Sequence, residues 1–295
     1  MNNTMTDQVV TPELRQWMIE QAAAGQQPEV VLEAMLASGW REEVALEALE
    51  QTLRGFLDER AKSVAPLKAA AVPVVVPVPD PLPGTDGMPA TVWAGDREVR
   101  VVLAMKHPRV VVFSGLLSDA ECDELVAQAG ARLVRSETVQ TETGGTEVNP
   151  ARTSDGMFFN RGESELTQRI EARIAALLRW PVENGEGLQV LRYRPGAEYK
   201  PHYDYFDPDL SGTPSILKRG GQRVATLVMY LNSPDVGGGT TFPDVGLEVA
   251  PVKGHAVFFS YDRAHPATRT LHGGAPVVAG EKWVATKWLR EGVFT

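Results

Sequence analysis

Seven prolines fall between residues 61 and 90, namely Pro66, Pro73, Pro77, Pro79, Pro81, Pro83 and Pro89, with AVPVVVPVPDPLPG at the centre. Proline has a fixed φ and no amide proton, so neither a helix nor a central strand can run through such a stretch. The composition predicts a semi-extended polyproline II linker over 61–90. A chain of 295 residues is thereby divided into a small unit, 1–60, and a large one, 91–295.

The small unit reads as helical. Thr11-Pro12 is a helix start, with a capping hydroxyl before a first-turn proline. Leu14, Trp17, Met18, Gln21 and Ala22 follow at helical spacing, and Gly25 ends the element. Pro28 opens a second helix with Val31, Leu32, Met35 and Leu36 on one side, and Gly39 is placed as its C-terminal cap. A third helix carries Val44, Leu46, Leu49, Leu53 and Leu57. Three short helices joined by tight turns resemble small ubiquitin-associated-like modules. Such a bundle either binds a protein partner or docks on the large unit.

The large unit mixes strands and helices. TVWAGDREVRVVLAM predicts a hairpin turning at Gly95-Asp96, and HPRVVVFSGLL a further strand. Ser118-Asp119-Ala120-Glu121 is a capping box that opens a helix. Leu166, Ile170, Ile174 and Leu177 form the apolar stripe of another helix, suited to packing on a sheet. Residues 137–150 lack periodicity and are expected to form a mobile flap over substrate, with a polar loop at 207–222 as the opposite lip. The remaining strands alternate with short turns. The expected class is α+β, a double-stranded β-helix (jelly-roll) core with flanking helices.

Within LQVLRYRPGAEYKPHYDYF, His202 and Asp204 stand one residue apart. Alternate side chains of a strand share a face, so an imidazole and a carboxylate are aimed at one spot. Two histidines and one carboxylate with open coordination positions are the facial triad of non-heme Fe(II) oxygenases. The third ligand comes from His255, His265 or His272. His255 opens the apolar run AVFFSY and His265 precedes Pro266 in a loop-like segment, whereas His272 is followed ten residues later by Lys282. A dicarboxylate that chelates a metal at one end needs a cation at the other, and a lysine point charge serves.

These segments, with ARTSDGMFF, GGQRVATLVMYLN, GGGTTFPDVGLEVAPVKGHAVFF and LHGGAPVVAGEKWVATKWLRE, resemble the prolyl 4-hydroxylase branch of the Fe(II)/2-oxoglutarate dioxygenases. The resemblance covers about 94–292. It implies His202, Asp204 and His272 as Fe(II) ligands and Lys282 as the partner of the distal carboxylate of 2-oxoglutarate. It implies Tyr193 and Thr240 as hydrogen-bonding contacts of that cosubstrate, and Arg152, Ser154 and Arg223 as residues near the substrate channel. The implied reaction uses Fe(II), 2-oxoglutarate and O2, with ascorbate as reductant, to hydroxylate prolyl residues in a proline-containing peptide or protein, releasing succinate and CO2. The same chemistry on a small molecule or free amino acid, and a non-catalytic binding module, are the alternatives. YDRAHPATRTLHGG departs from the family's usual text and carries the extra His265.

A net charge of −9 and a pI near 5.2 argue against nucleic acid or an anionic membrane as the main partner. A single cysteine, Cys122, excludes an internal disulfide. No apolar run reaches the length of a membrane span, and MNNTMTDQVVTPEL lacks a signal peptide's pattern, so a cytoplasmic location is expected.

Overall fold

The computed structural model describes residues 8–23, 26–63, 73–84, 87–136, 138–139, 146–147 and 153–295. The chain forms two compact units, Met1–Val72 and Pro73–Thr295.

The first unit contains the helices Pro12–Ala23, Pro28–Ala37 and Glu42–Ser63 around a core of Met18, Val31, Met35, Ala45, Ala48 and Leu49. Gly39 follows the second helix with φ +88°, a left-handed turn that glycine makes without steric cost. The third helix departs from the expected face. Leu46 is 52% exposed, and Ala45, Ala48, Leu49 and Thr52 form the buried i, i+3, i+4, i+7 stripe. Of the expected residues Leu49 is in the core and Leu53 packs against it, while Ala45 and Ala48 take the place expected of Leu46; the side chain of Leu57 lies outside the described residues.

In the second unit, nine strands make one sheet in the order Thr91–Trp93, Glu98–Met105, Arg109–Ser114, Ala256–Ser260, Arg223–Tyr230, Lys282–Arg290, Leu188–Tyr193, Asp155–Phe159 and Val134–Arg135. Every pairing is antiparallel. A four-stranded sheet is ordered Leu247–Val249, Thr240–Phe242, His272–Gly274 and Tyr199–His202. The large sheet is buried on both faces, and its residues sort by the two-residue period of a strand. Val111, Phe113, Val190, Leu227, Met229, Phe258 and Ala285 join a core with the helices Asp119–Gly130 and Glu165–Leu178. Val110, Val112, Leu191, Tyr193, Tyr230, Val257, Phe259 and Val284 join a second core with Phe242 and Val249 of the small sheet. Burial on both faces explains why AVFFS reads as a continuous apolar run.

The expected hairpin turns at Gly95-Asp96, where Ala94 donates to the Arg97 carbonyl at 2.8 Å. Ser118 and Glu121 close their capping box, and Leu166, Ile170, Ile174 and Leu177 are buried. Two expectations change. The polar loop at 207–222 contains a short helix, Thr213–Leu217, and is clasped at its ends where Gln222 exchanges two 2.7 Å hydrogen bonds with the Phe206 backbone. The proline-rich stretch is not a free linker along its second half. Pro79, Pro81 and Leu82 are buried, Leu82 within the sheet–helix core. Val76 donates to the Asp262 carbonyl at 2.8 Å and Asp80 pairs with Arg109. Apolar burial, one backbone hydrogen bond and one ion pair hold this strap down. Of the expected flap, a small ladder of Thr138–Val139 with Thr146–Glu147 is described, and the rest lies outside the described residues. No described helix is long and apolar enough to cross a membrane.

Candidate active site

The strands Tyr199–His202 and His272–Gly274 pair antiparallel with His202 opposite His272. Directly opposed residues project to the same face of a ladder, and these two rings lie 4.4 Å apart between centroids. A Cβ on Gly273 would meet the Tyr199 carbonyl at 2.8 Å, so glycine there permits the close approach of the two strands. Asp204, just past the strand end, brings its carboxylate to both rings: His272 Nε2 is 3.3 Å from Oδ2 and His202 Nε2 is 3.6 Å from Oδ1. Among the described residues these three form the one cluster with metal-ligand spacing, their ligand atoms all within 4.8 Å of one another.

The two imidazoles are held alike. His202 Nδ1 lies 2.9 Å from the Lys200 carbonyl and His272 Nδ1 lies 3.0 Å from the Thr270 carbonyl. A carbonyl accepts only, so each Nδ1 carries the proton and each Nε2 is left as a lone-pair donor, the usual arrangement of metal-ligating histidines. Burial, then the neighbouring His272, pushes His202 down. Burial alone would push Asp204 up, but His272 and His202 hold its carboxyl well below the usual carboxylate range. Two imidazole Nε2 donors and an ionised carboxylate suit a first-row transition-metal dication. Phe259 packs 4.4 Å from the His272 ring and Tyr199 stacks 3.7 Å from His202.

The pocket beside this cluster runs between the sheets to Lys282, which pairs in register with Tyr193. Lys282 is 4% exposed and forms no salt bridge with a carboxylate among the described residues; the Tyr193 and Tyr230 rings lie 5.4 and 5.8 Å from Nζ. Burial pushes this lysine down to about 8. The Glu248 charge opposes that shift without a salt bridge to Nζ; a buried ammonium without a direct ion pair is costly, and an anion entering the pocket would relieve that cost. Thr240 lines the same end and accepts a 2.8 Å hydrogen bond from Tyr230 OH. Along Lys282–Arg290 the alternate residues Lys282, Val284, Thr286 and Trp288 all line the pocket, giving it a cationic end, an apolar middle and an aromatic end.

His202, Asp204, His272, Lys282, Tyr193 and Thr240 thus line one pocket. The other candidates fall elsewhere. His265 caps the turn Pro266–Thr268, its Nδ1 accepting from the Ala267 amide at 3.0 Å. Ser154 is buried away from the pocket against Ser136 Oγ at 2.9 Å. Arg152 lies outside the described residues. Arg223 does not line the pocket: its guanidinium makes a bidentate pair with Glu186 at 2.7 and 2.9 Å, stacks 4.1 Å from Trp288 and shares Glu186 with Arg290. Buried arginine requires such pairing, so the polar position beside Gly220-Gly221 is structural as well as near the site. Thr226, Tyr230, Tyr261 and Trp288 were not singled out by sequence. The two-residue period of Arg223–Tyr230 and Lys282–Arg290 is the signal that reaches Thr226, Tyr230 and Trp288.

The 2OG-Fe(II) oxygenase superfamily model matches residues 188–290, a span that contains every pocket-lining residue. Prolyl 4-hydroxylase 5 of Arabidopsis thaliana is 41% identical over 216 residues, 66% of this chain and 72% of the relative. Prolyl 4-hydroxylase 1 of the same plant is 40% identical over 225 residues, 68% of this chain and 77% of the relative. Among solved structures, the viral collagen prolyl hydroxylase of Paramecium Bursaria Chlorella virus-1 in complex with 2OG is 34% identical, covering 61% of this chain and 95% of that one, with a TM-score of 0.48. Relatives matched at this identity over most of their length leave one assignment: the chain belongs to the 2OG-Fe(II) oxygenase superfamily, among its prolyl 4-hydroxylases.

Proposed function

We propose that the protein hydroxylates prolyl residues of a peptide or protein, using Fe(II), 2-oxoglutarate and O2 on a double-stranded β-helix scaffold. The observation that carries this reading is a single pocket with a His-Asp-His cluster and, beyond it, a buried lysine that forms no salt bridge among the described residues. His202 Nε2, His272 Nε2 and the Asp204 carboxylate would hold the iron, and the preset Nδ1 bonds fix both rings for it. Lys282 would take the distal carboxylate of 2-oxoglutarate, with the Tyr193 and Thr240 hydroxyls beside it, while Leu191, Val228 and Val284 line the pocket as apolar walls. When bound, iron and cosubstrate supply the oxidation: one oxygen atom of O2 enters a substrate C–H bond, and the other leaves in succinate as CO2 is released.

The residues themselves bind, orient and exclude water. The donor set retains a carboxylate, Asp204, so the coordination positions it leaves serve cosubstrate and O2 rather than an extra anion. Tyr199 and Trp288 give the pocket aromatic sides that suit an apolar pyrrolidine ring. The Trp288 indole N–H is buried without a partner among the described residues, and a peptide carbonyl would satisfy it. The relatives named as prolyl 4-hydroxylases supply the substrate class.

The test is succinate release with Fe(II) and ascorbate against proline-containing peptides and free proline, with Asp204→Ala as blank. Peptide-stimulated turnover with a one-oxygen mass gain on proline is expected. Stimulation by free proline alone would replace the peptide reading with the small-molecule one.

A further inference from the structure

Asp204 is the one carboxylate of the metal cluster, and its Oδ2 lies 2.7 Å from Thr226 Oγ1. A metal-binding carboxylate has no proton to give, so Thr226 donates this bond. A threonine hydroxyl has a single hydrogen, and here it points at Asp204. The second contact of Thr226 Oγ1, 3.0 Å to Tyr261 OH, therefore runs one way: Tyr261 donates and Thr226 accepts. Thr226 is fully buried and Tyr261 is 1% exposed, so solvent does not compete with either bond.

Both hydroxyls stand on rigid supports. Thr226 belongs to Arg223–Tyr230, which is paired on both sides, by Ala256–Ser260 and Lys282–Arg290, and its β-branched side chain has few rotamers. The Tyr261 amide donates to the Val224 carbonyl at 3.0 Å, and its ring lies against Phe259 and Tyr205. The two histidine ligands are oriented by backbone carbonyls. Asp204 differs: its side chain is oriented by other side chains. Linked hydrogen bonds in a dry interior polarise one another and strengthen the last in the series.

We propose that Tyr261 is a positioning residue of the metal centre: acting through Thr226, its hydroxyl fixes the rotation of the Asp204 carboxylate and so sets metal affinity. This rests on the reading that His202, Asp204 and His272 hold the iron. Tyr261 lies in the segment where the sequence departs from the family's usual text, two residues past Phe259 and eleven before His272.

The experiment is calorimetric titration with Mn(II), without cosubstrate, of the full chain and of Tyr261→Phe, Thr226→Val, the double variant and Thr226→Ser. Tyr261→Phe keeps the ring and removes only the hydroxyl. Its Mn(II) affinity is expected to fall about tenfold, the lower end of the range for losing an outer partner of a metal ligand. In the Thr226→Val background the same change should have no further effect, and Thr226→Ser should bind as the parent does. Parent-like affinity in Tyr261→Phe, or losses that multiply in the double variant, would overturn the proposal while leaving the site reading intact. A parent without Mn(II) affinity would overturn both. If Tyr261→Phe does not fold, Thr226→Val against Thr226→Ser decides, and parent-like binding by the valine variant overturns the relay.

Discussion

The strand Lys282–Arg290 carries two buried lysines, and they face opposite sides of the sheet. Lys287 is 2% exposed and bonds Glu171 Oε1 at 2.5 Å on the helix side, where Glu171 Oε2 also accepts from the Gly162 amide at 2.8 Å. Lys282 is 4% exposed on the pocket side and forms no salt bridge with a carboxylate among the described residues. Burial pushes both lysines down and a carboxylate charge opposes each shift, Glu171 in direct contact with Lys287 and Glu248 without a salt bridge to Lys282. The contrast separates two uses of a buried charge. A satisfied pair specifies how helix and sheet dock; an unsatisfied cation is held by the fold for a ligand that arrives later.

The pocket face should fail first by its metal donors. Asp204→Ala or His272→Ala is expected to remove more than about a hundredfold of turnover and of Mn(II) affinity, exceeding what outer partners contribute. Melting temperature should stay near that of the metal-free parent. If His272→Ala kept its turnover and His265→Ala lost it, the third ligand would be reassigned.

On the opposite face, Lys287→Met leaves the Glu171 carboxylate buried without its cation. Removing one partner of a buried pair costs about 3–5 kcal/mol, so denaturant titration should show a large loss of stability. Turnover per folded molecule should be unchanged. Lys282→Met reverses the pattern. It removes an unpaired charge, so stability without cosubstrate should hold or rise, while a charge-assisted bond worth about 1.5–3 kcal/mol is lost to 2-oxoglutarate. The KM for 2-oxoglutarate should rise about tenfold to a hundredfold. If both lysine variants merely destabilised, the distinction between the two faces would not stand.

Sequence reached the parts of the site that depend on local spacing. His202 ends a strand and Asp204 follows two residues later, and Lys282 sits at a fixed offset from His272. The parts that depend on register between distant strands were not legible. Thr226 touches Asp204, and Tyr261 touches Thr226, because Ala256–Ser260 and Arg223–Tyr230 pair as they do. Arg223 was legible as a charge near the site but not as the partner of Glu186, 37 residues earlier. For the proline-rich stretch, what it lies against was not legible, because proline's own chemistry does not encode it. In the N-terminal unit, counting large apolar residues found Leu49 and Leu53 but also chose the exposed Leu46 and passed over Ala45 and Ala48, which join Leu49 in the core.

The smallest effect, and the one that tests the unpaired state of Lys282 itself, is pH dependence. Its folded value, about 8, lies below the ordinary 10.5, so the unfolded chain binds more protons between those limits. Stability of the cosubstrate-free protein attributable to this group should therefore rise with pH across that window, by about 3 kcal/mol in all. Cosubstrate affinity moves the other way, since the ammonium that receives the distal carboxylate is lost as pH passes about 8. The KM for 2-oxoglutarate should climb by up to about tenfold per pH unit above that point, with turnover at saturating cosubstrate much less affected. Lys282→Met should flatten both profiles, whereas Lys287→Met should leave the KM profile intact. A parent KM that is flat between about pH 7 and 10 would mean that this lysine keeps its proton through a counterion, and the contrast between the two faces would be lost.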